Sequence, residues 1–230
     1  TPADVGIWND TQMAAHARMV EAIHATGSVA GIQIAHAGRK ASRAAPWVHG
    51  PAKNSWTTMA PSAEPFEGFA VPHAMTEAEI GAALAAFVEA AKRSVKAGYR
   101  FIEIHGAHGY LGHQFLSPIS NRRNDSWGGD FEGRTRFVRE MAAMVRAAIP
   151  ADMPLALRIS HTDWVDGGWT TEESVELARR VKALGVDLMD VSSGGLDAGQ
   201  KIVLGPGYQV PGAEAVKKGA EIPVAAVGLI

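Results

Sequence analysis

The stretch Phe101-Ile-Glu-Ile-His105-Gly-Ala-His108-Gly-Tyr110 joins an apolar, strand-like run to a glycine-containing loop with polar ring side chains. The strand-like run ends at His105, and the loop carries His108 and Tyr110. Neutral histidines supply hydrogen-bond donors, and a tyrosine supplies a phenolic proton. Such a cluster can hold a substrate oxygen at one end and protonate the substrate at the other. The stretch therefore predicts an enzyme.

Segments with helical periodicity alternate with short apolar segments along the rest of the chain. The helical segments cover about residues 11–26, 76–98, 132–149, 170–185 and 211–218. The strand-like segments cover residues 29–35, 100–105, 155–160, 188–192 and 224–227. Thr76 with Glu79, and Thr170 with Glu173, have the spacing of capping boxes at helix starts. Strands that alternate with helices predict βα units and a parallel sheet.

Polar residues at the strand ends favour a (β/α)8 barrel, or TIM barrel, over a doubly wound nucleotide-binding sheet. His36, His105 and Ser192 stand at such ends, where these barrels build their active sites. No strand is followed by Gly-x-Gly-x-x-Gly or by a Walker loop. The five strand segments fall short of the roughly eight that a closed barrel needs. We therefore expect residues 1–230 to be the middle part of one α/β barrel domain, with no second domain.

A proline-rich excursion over residues 37–75 interrupts this alternation. It contains Pro46, Pro51, Pro61, Pro65, Pro72, Trp47, Trp56 and Phe66. Loops of this length in compact domains tend to be either functional or disordered. The aromatic residues favour an ordered excursion that caps one end of the barrel. A family-specific decoration or an oligomer contact is the alternative.

The composition is typical of a soluble globular protein. The chain has 230 residues, of which 47% are hydrophobic and 20% charged, with a net charge of −2. This balance argues against a nucleic-acid surface, which would need clustered Lys and Arg. The absence of cysteine excludes a disulfide, a thiolate metal site and a cysteine nucleophile, and it fits a reducing cytoplasm. No apolar run is long enough to span a membrane, and no signal peptide is found, so we expect no membrane partner.

The histidine pair has two further interpretations besides a substrate-binding role. His-x-x-His supplies two metal ligands, and His113 is the only nearby candidate for a third. The adjoining loop lacks Asp and Glu, and the pair does not lie on a helix face, so we predict no metal. Hydrogen-bonded structural histidines are the other interpretation.

Gln33 and Arg158 are polar residues within apolar strand segments. A buried glutamine amide needs hydrogen-bond partners, either in a structural network or on a planar ligand with alternating donors and acceptors. A buried arginine needs a negative partner, either a carboxylate of the protein or an anionic cofactor ring. For each of the two residues, both the structural explanation and the ligand-binding explanation remain open.

Three motifs together closely resemble the Old Yellow Enzyme family of FMN-dependent ene-reductases, in particular its bacterial xenobiotic-reductase or thermophilic-like branch. They are GIQIAHAGRKAS (31–42), IEIHGAHGYLGHQFLSPISNRRNDSWGGDFEGRTRF (102–137) and LRIS-x-x-DW (157–164). The resemblance extends over the whole chain and implies roughly strands three to seven of the family's TIM barrel. Trp127 replaces the tyrosine common in the family, and Gly106 is smaller than the usual residue between the histidines.

The resemblance implies a role for each candidate residue. Gln33 and Arg158 would bind the pyrimidine edge of FMN, and Arg158 would stabilise negative charge on the reduced ring. His105 and His108 would hold the carbonyl or nitro oxygen of the substrate, and Tyr110 would donate the proton. We expect the first and last strands of the family's barrel, which this sequence lacks, to be needed for FMN binding.

The implied activity is that of an NADPH dehydrogenase or ene-reductase. NADPH, or NADH, would reduce the flavin, which would then reduce an enone, enal or nitro compound. A homo-oligomer is also implied. Reduction of nitro compounds, nitrate esters or quinones, or oxidative demethylation, is the alternative within the family. A metal-dependent barrel hydrolase or aldolase, or an inactive fragment, is the alternative from other classes.

Overall fold

The computed structural model of the protein describes residues 4–45, 47–48 and 52–230. In chain order its elements are α1 (Asp10–Ala25), β1 (Gly31–Ile34), a 3-10 helix (Gly38–Lys40), β2 (Met59–Ala60), β3 (His73–Ala74), α2 (Glu77–Lys96), β4 (Phe101–Gly106), α3 (Leu111–Leu116), α4 (Phe131–Ala148), β5 (Leu155–Ser160), α5 (Thr171–Ala183), β6 (Leu188–Ser192), α6 (Val210–Ala220) and β7 (Val224–Ala226). Every helix and strand predicted from periodicity is present. The largest differences are two residues, for example at β1, which was predicted over residues 29–35.

The main sheet has five parallel strands in the order β1-β4-β5-β6-β7. Each strand of this sheet lies beside the strand of the same sheet that follows it in the chain, so the order never reverses. A doubly wound sheet reverses its strand order at a switch point, whereas a barrel keeps adding strands on one side. The strand order therefore confirms the α/β, barrel-type prediction.

Local sequence signals fix the starts of two outer helices. The Thr76 hydroxyl accepts a hydrogen bond from the Glu79 backbone N–H at 3.3 Å, and the Glu79 carboxylate accepts one from the Thr76 N–H at 2.7 Å. Thr170 and Glu173 form the same reciprocal pair at the start of α5. These bonds satisfy backbone donors that a helix start otherwise leaves without partners, and both predicted capping boxes are confirmed.

The periodicity predicts no helix between β4 and α4, but Leu111–Leu116 form the short helix α3. All six residues of this helix are buried. The Phe115 ring stacks on that of Phe137 in α4, with 4.3 Å between the ring centroids. A helix of fewer than two turns with no side-chain cap has almost no local signal, so tertiary packing stabilises it.

The excursion over residues 37–75 also contains regular structure that its sequence did not reveal. Besides the 3-10 helix, β2 and β3 form a separate parallel pair. The Arg39 guanidinium donates to the Leu196 carbonyl at 2.7 Å, and that of Arg123 donates to the Pro61 carbonyl at 2.9 Å. These bonds join the excursion to the loops that follow β6 and α3. Pro46 and Pro51 lie outside the described residues.

The two faces of the main sheet differ in chemistry because side chains alternate along a strand. Ile102 and Ile104 of β4 belong to the hydrophobic core between the sheet and the helices. Glu103 and His105 project from the opposite face. This polar face is therefore the side of the sheet where chemistry can take place.

Within the described ranges, no helix has both the length and the hydropathy needed to cross a membrane.

Replacing Phe137 by alanine should lower the free energy of unfolding by about 3–5 kcal/mol, because the substitution leaves a cavity against the fully buried Phe115. Equilibrium denaturation in urea would measure this loss. Met144→Ala on the same helix is the matched control, since the side chain of Met144 is 40% exposed. That control should change stability by only about 0.5 kcal/mol. Equal losses in the two variants would contradict the assigned packing.

Candidate active site

A row of polar side chains crosses the open face of the sheet. Gln33 of β1 lies opposite Glu103 of β4, and its Nε2 donates to Glu103 Oε1 at 2.6 Å. Arg158 of β5 lies opposite Asp190 of β6, with Nε 3.4 Å from Asp190 Oδ2. Gln33 and Arg158 therefore have the structural partners that the sequence left as one alternative.

These partners leave part of both residues available to a ligand. The Arg158 side chain is 26% exposed, although its buried Nε faces Asp190. Gln33 is exposed and uses its amide nitrogen on Glu103. The row thus offers a fixed positive charge and an amide to a planar group lying on this face.

The two carboxyl groups of the row influence one another. Burial raises the pKa of Glu103, with the nearby charge of Asp190 acting in the same direction, while the Gln33 hydrogen bond and the Arg158 charge oppose the rise. Burial also raises the pKa of Asp190, against the charge of Arg158. Both shifts make it less favourable for Glu103 and Asp190 to be ionised at the same time beside Arg158. The two carboxyl groups therefore neutralise the positive charge of Arg158 only in part.

His105 lies on the same face near the carboxyl end of β4, opposite Arg158 of β5. Its Nδ1 accepts a hydrogen bond from the Ala107 backbone N–H at 3.2 Å. In a neutral imidazole the proton is then on Nε2. Burial lowers the pKa of His105 to about 3, with the charges of His108 and Arg158 adding to the effect. His105 is therefore a neutral hydrogen-bond donor at physiological pH.

His108 adopts a left-handed backbone conformation, with φ of 57°. Such a conformation costs a non-glycine residue roughly 1–3 kcal/mol and persists only where the surroundings enforce it. The His108 N–H donates to Ser160 Oγ at 3.0 Å, and its carbonyl accepts from Lys40 Nζ at 3.0 Å. Burial lowers the pKa of His108 to about 4, and the charge of Arg158 acts in the same direction. His108 is thus also neutral.

Lys40 links the loop of His108 to the loop that follows β6 through hydrogen bonds. Its ammonium group donates to the carbonyls of His108 and Gly195, and it lies 4.2 Å from the centroid of the Phe66 ring. Burial lowers the pKa of Lys40 to about 8, with the neighbouring Arg39 charge contributing. Lys40 was not singled out from the sequence, although it lies within the quoted motif GIQIAHAGRKAS.

The backbones of these two loops approach so closely that only glycine fits at the contact. A Cβ on Gly109, which has φ of 71°, would lie 2.3 Å from the Gly195 carbonyl oxygen. A Cβ on Gly195, with φ of 87°, would lie 2.7 Å from the Cα of His108. The loops after β4 and β6 therefore form one continuous wall of the site.

Tyr110 completes the cluster predicted from the opening motif. Its ring packs edge-to-face on that of His105, with 5.0 Å between the centroids. The rings of His105 and His108 are 5.2 Å apart, also edge-to-face. The structure thus brings His105, His108 and Tyr110 together, beside the strand position of Arg158.

His113 does not join this cluster as a metal ligand. Its Nε2 lies 2.7 Å from Asp163 Oδ1, and its Nδ1 accepts from the Gly109 N–H at 3.0 Å. Both ring nitrogens are therefore engaged, in a pair that is fully buried. Among the residues for which the structure gives positions, no group of three His, Cys, Asp or Glu could hold a metal ion. His113 instead orients Gly109, next to His108.

Known proteins with similar sequences identify the family of the chain. Residues 1–230 match the sequence profile of the NADH:flavin oxidoreductase / NADH oxidase family. The NADPH dehydrogenase of Listeria innocua is 45% identical over 228 residues, which cover 99% of this chain and 63% of that protein. The chain belongs to this family, that of the Old Yellow Enzymes.

Solved structures have the same fold. A complex of 2-naphthoyl-CoA reductase with 2-naphthoyl-CoA superimposes with a TM-score of 0.84 at 28% identity, over 96% of this chain and 35% of that one. An old yellow enzyme homologue from Zymomonas mobilis has a TM-score of 0.75 at 24% identity, over 96% of this chain and 62% of that one. These likenesses confirm the TIM-barrel class. The chain spans 61–64% of the length of the first curated relatives that it matches.

The lowered pKa values of His105 and His108 predict that the fold loses stability as the pH falls from about 6.5 to about 4. In the unfolded chain a histidine binds a proton near its ordinary pKa of about 6.5, whereas the fold keeps both neutral. In this pH range the unfolded state therefore binds more protons than the folded state, so acid stabilises the unfolded state. At about pH 5, each of these two histidines should lower the free energy of unfolding by on the order of 1–2 kcal/mol.

Urea denaturation of the wild type and of the double variant His105→Gln/His108→Gln at several pH values would measure this effect. The variant should lose less stability on acidification, because two of the groups that titrate only on unfolding are gone. Equal pH dependence in the two proteins would show that the histidines are not held neutral by the fold.

Proposed function

We propose that this chain is the substrate-binding part of an FMN-dependent NAD(P)H oxidoreductase that reduces activated C=C bonds of α,β-unsaturated carbonyl compounds. The observation that carries the proposal is the packing of the neutral His105 ring against both the neutral His108 ring and the Tyr110 ring at the end of β4. This cluster lies on the same face of the sheet as Gln33 and Arg158. The names of the curated relatives, NADPH dehydrogenases, support the same chemistry.

The polar row fits the edge of a flavin. The Arg158 side chain is 26% exposed beside Asp190, and Gln33 presents an amide on the exposed side of β1. FMN, when bound, accepts hydride from NADPH or NADH and passes it on to the substrate. Arg158 would supply fixed positive charge to the pyrimidine edge of the ring, and Gln33 would supply its amide to the same edge.

The two histidines would bind the carbonyl oxygen of the substrate. His105 offers Nε2–H, since its Nδ1 is occupied by the Ala107 N–H. A second donor from His108 would share the oxygen, and the two donors together would draw electron density from the conjugated system. Because burial keeps both rings neutral, their donation would not vary across physiological pH. The β-carbon of the substrate would thereby become electrophilic.

Tyr110 would supply the proton to the α-carbon. Its ring is held against His105, and Lys40 Nζ lies 6.0 Å from the ring centroid. The phenol is thus positioned by the same loop that carries the histidines. A proton donor placed next to the bound oxygen can complete the reduction without solvent.

The visible absorption spectrum of the purified full-length protein tests the proposal. The protein should show the bands of oxidised flavin, and these bands should bleach when NADPH is added without air. Adding an enone should restore them. A folded, full-length protein that contains no flavin, even after incubation with FMN, would refute the proposal.

Tyr110→Phe should slow enone reduction by about a hundredfold or more, because the variant lacks the proton donor. Reduction of the flavin by NADPH should remain at the wild-type rate, since that step needs no proton from Tyr110. Stopped-flow absorbance would measure the two half-reactions separately. Tyr99→Phe is the matched control, because the Tyr99 hydroxyl bonds His16 at 2.8 Å and lies outside the site. Equal slowing of both half-reactions would contradict the assigned role.

A further inference from the structure

Two polar side chains are buried in α3, the short helix that directly follows Tyr110. His113 and Gln114 are both fully buried, although a buried polar group is costly unless it is hydrogen-bonded. Their contacts converge on one residue. The Gly109 N–H donates to His113 Nδ1 at 3.0 Å, and Gln114 Nε2 donates to the Gly109 carbonyl at 2.6 Å. Helix α3 therefore holds both polar backbone groups of the residue between His108 and Tyr110.

The peptide unit that joins His108 to Gly109 is held at both of its edges. Lys40 donates to its carbonyl oxygen, and His113 accepts from its N–H. A peptide unit is planar, so two bonds at opposite edges fix its rotation. Gly109, with φ of 71°, has the conformational freedom of a glycine and by itself resists such a rotation little. The direction in which His108 projects thus depends on the acceptor that His113 supplies.

The contacts of His113 also place its proton. Because a backbone N–H can only donate, Nδ1 is an acceptor without a proton, and the one proton of the ring is on Nε2. Nε2 lies 2.7 Å from Asp163 Oδ1 in a fully buried pair. Neither of these two atoms has another hydrogen-bond partner among the described residues. The Nε2–H of His113 therefore faces the carboxyl group of Asp163.

Asp163 is held as an anion by further hydrogen bonds. Its Oδ2 accepts from Ser117 Oγ at 2.6 Å and from the Trp169 N–H at 2.7 Å. Burial alone would raise the pKa of Asp163, but the neighbouring His113 and these hydrogen bonds hold the pKa below its ordinary value. A carboxylate has no proton, so it can only accept from Nε2. Asp163 therefore disfavours the other tautomer of His113, which would turn a second donor toward the Gly109 N–H.

We propose that His113 is a positioning residue of the active site and that Asp163 fixes its tautomer. Asp163 binds the Nε2–H, which leaves Nδ1 to hold the peptide unit between His108 and Gly109 in the orientation that directs His108 at the substrate. This inference rests on the proposed function, in which His108 binds the substrate oxygen. Both His113 and Asp163 act through Gly109 and not by contact with the substrate.

Nitrogen-15 NMR of the histidine rings in the full-length protein tests the tautomer, because protonated and unprotonated ring nitrogens have distinct shifts. Near neutral pH, His113 should be protonated on Nε2 alone, and its signals are identified by their absence from the spectrum of His113→Asn. A His113 ring that is protonated on Nδ1, or on both nitrogens, would overturn the proposal. This measurement does not depend on whether the protein binds flavin.

Two amide substitutions separate the two bonds of His113. The side-chain oxygen of asparagine can take the place of Nδ1 and accept from Gly109, whereas glutamine reaches as far as Nε2 and can donate to Asp163. His113→Gln should weaken the binding of a phenol, p-hydroxybenzaldehyde, by about tenfold or more, because the Gly109 N–H loses its acceptor. His113→Asn should bind the phenol within about twofold of the wild type. Isothermal titration calorimetry would measure both affinities.

A role in packing alone would not produce this difference, since each substitution breaks one buried hydrogen bond and should lower the free energy of unfolding in urea. Equal phenol affinities of the two variants, or a larger loss in His113→Asn, would contradict the proposal. His16→Gln is the matched control, because His16 is also buried but bonds the Tyr99 hydroxyl and lies outside the site. This control should leave the phenol affinity unchanged. A wild-type protein that bound neither phenol nor FMN would refute the proposed function instead, and the NMR spectrum would still decide the tautomer.

Discussion

The left-handed backbone at His108 is the constraint on which the site depends. This conformation turns the chain sharply after β4, and the turn brings the rings of His108 and Tyr110 against the ring of His105. Ser160 and Lys40 bind the two polar groups of the His108 backbone and offset its strain. The loop after β6, which forms the same wall of the site, is held in place by Lys40 too, because Lys40 also donates to its Gly195 carbonyl.

Burial and strand alternation give this wall its chemistry. Alternation along β4 places Ile104 in the core and Glu103 and His105 on the open face, where neighbouring parallel strands add Gln33 and Arg158. Burial then keeps the two histidines uncharged, while Arg158 stays a cation beside carboxyl groups whose pKa values are raised. A neutral donor pair beside a fixed positive charge suits an oxygen that becomes negative during reaction.

Sequence reasoning found the cluster because its signals are local. The strand that ends at His105, the polar residues within apolar strands and the capping boxes at Thr76 and Thr170 each occupy a few adjacent residues. The short helix α3 and the sheet of β2 and β3 were missed because their stability comes from distant contacts, such as the stacking of Phe115 on Phe137. Glu103 could have been found, since its period-two spacing from His105 assigns both to one face.

By itself the sequence determined the order of helices and strands, the barrel class, the family and the residues at the strand ends, because periodicity, capping and motif spacing are properties of neighbouring residues. Only the tertiary structure decided which groups hold His108 in its conformation, that burial keeps His105 and His108 neutral, and what Arg158 and Gln33 contact. These features depend on pairs such as His108 with Ser192, which lie 84 positions apart in the chain. No local pattern contains such a pair, and packing of the parallel strands brings its members to one end of the sheet.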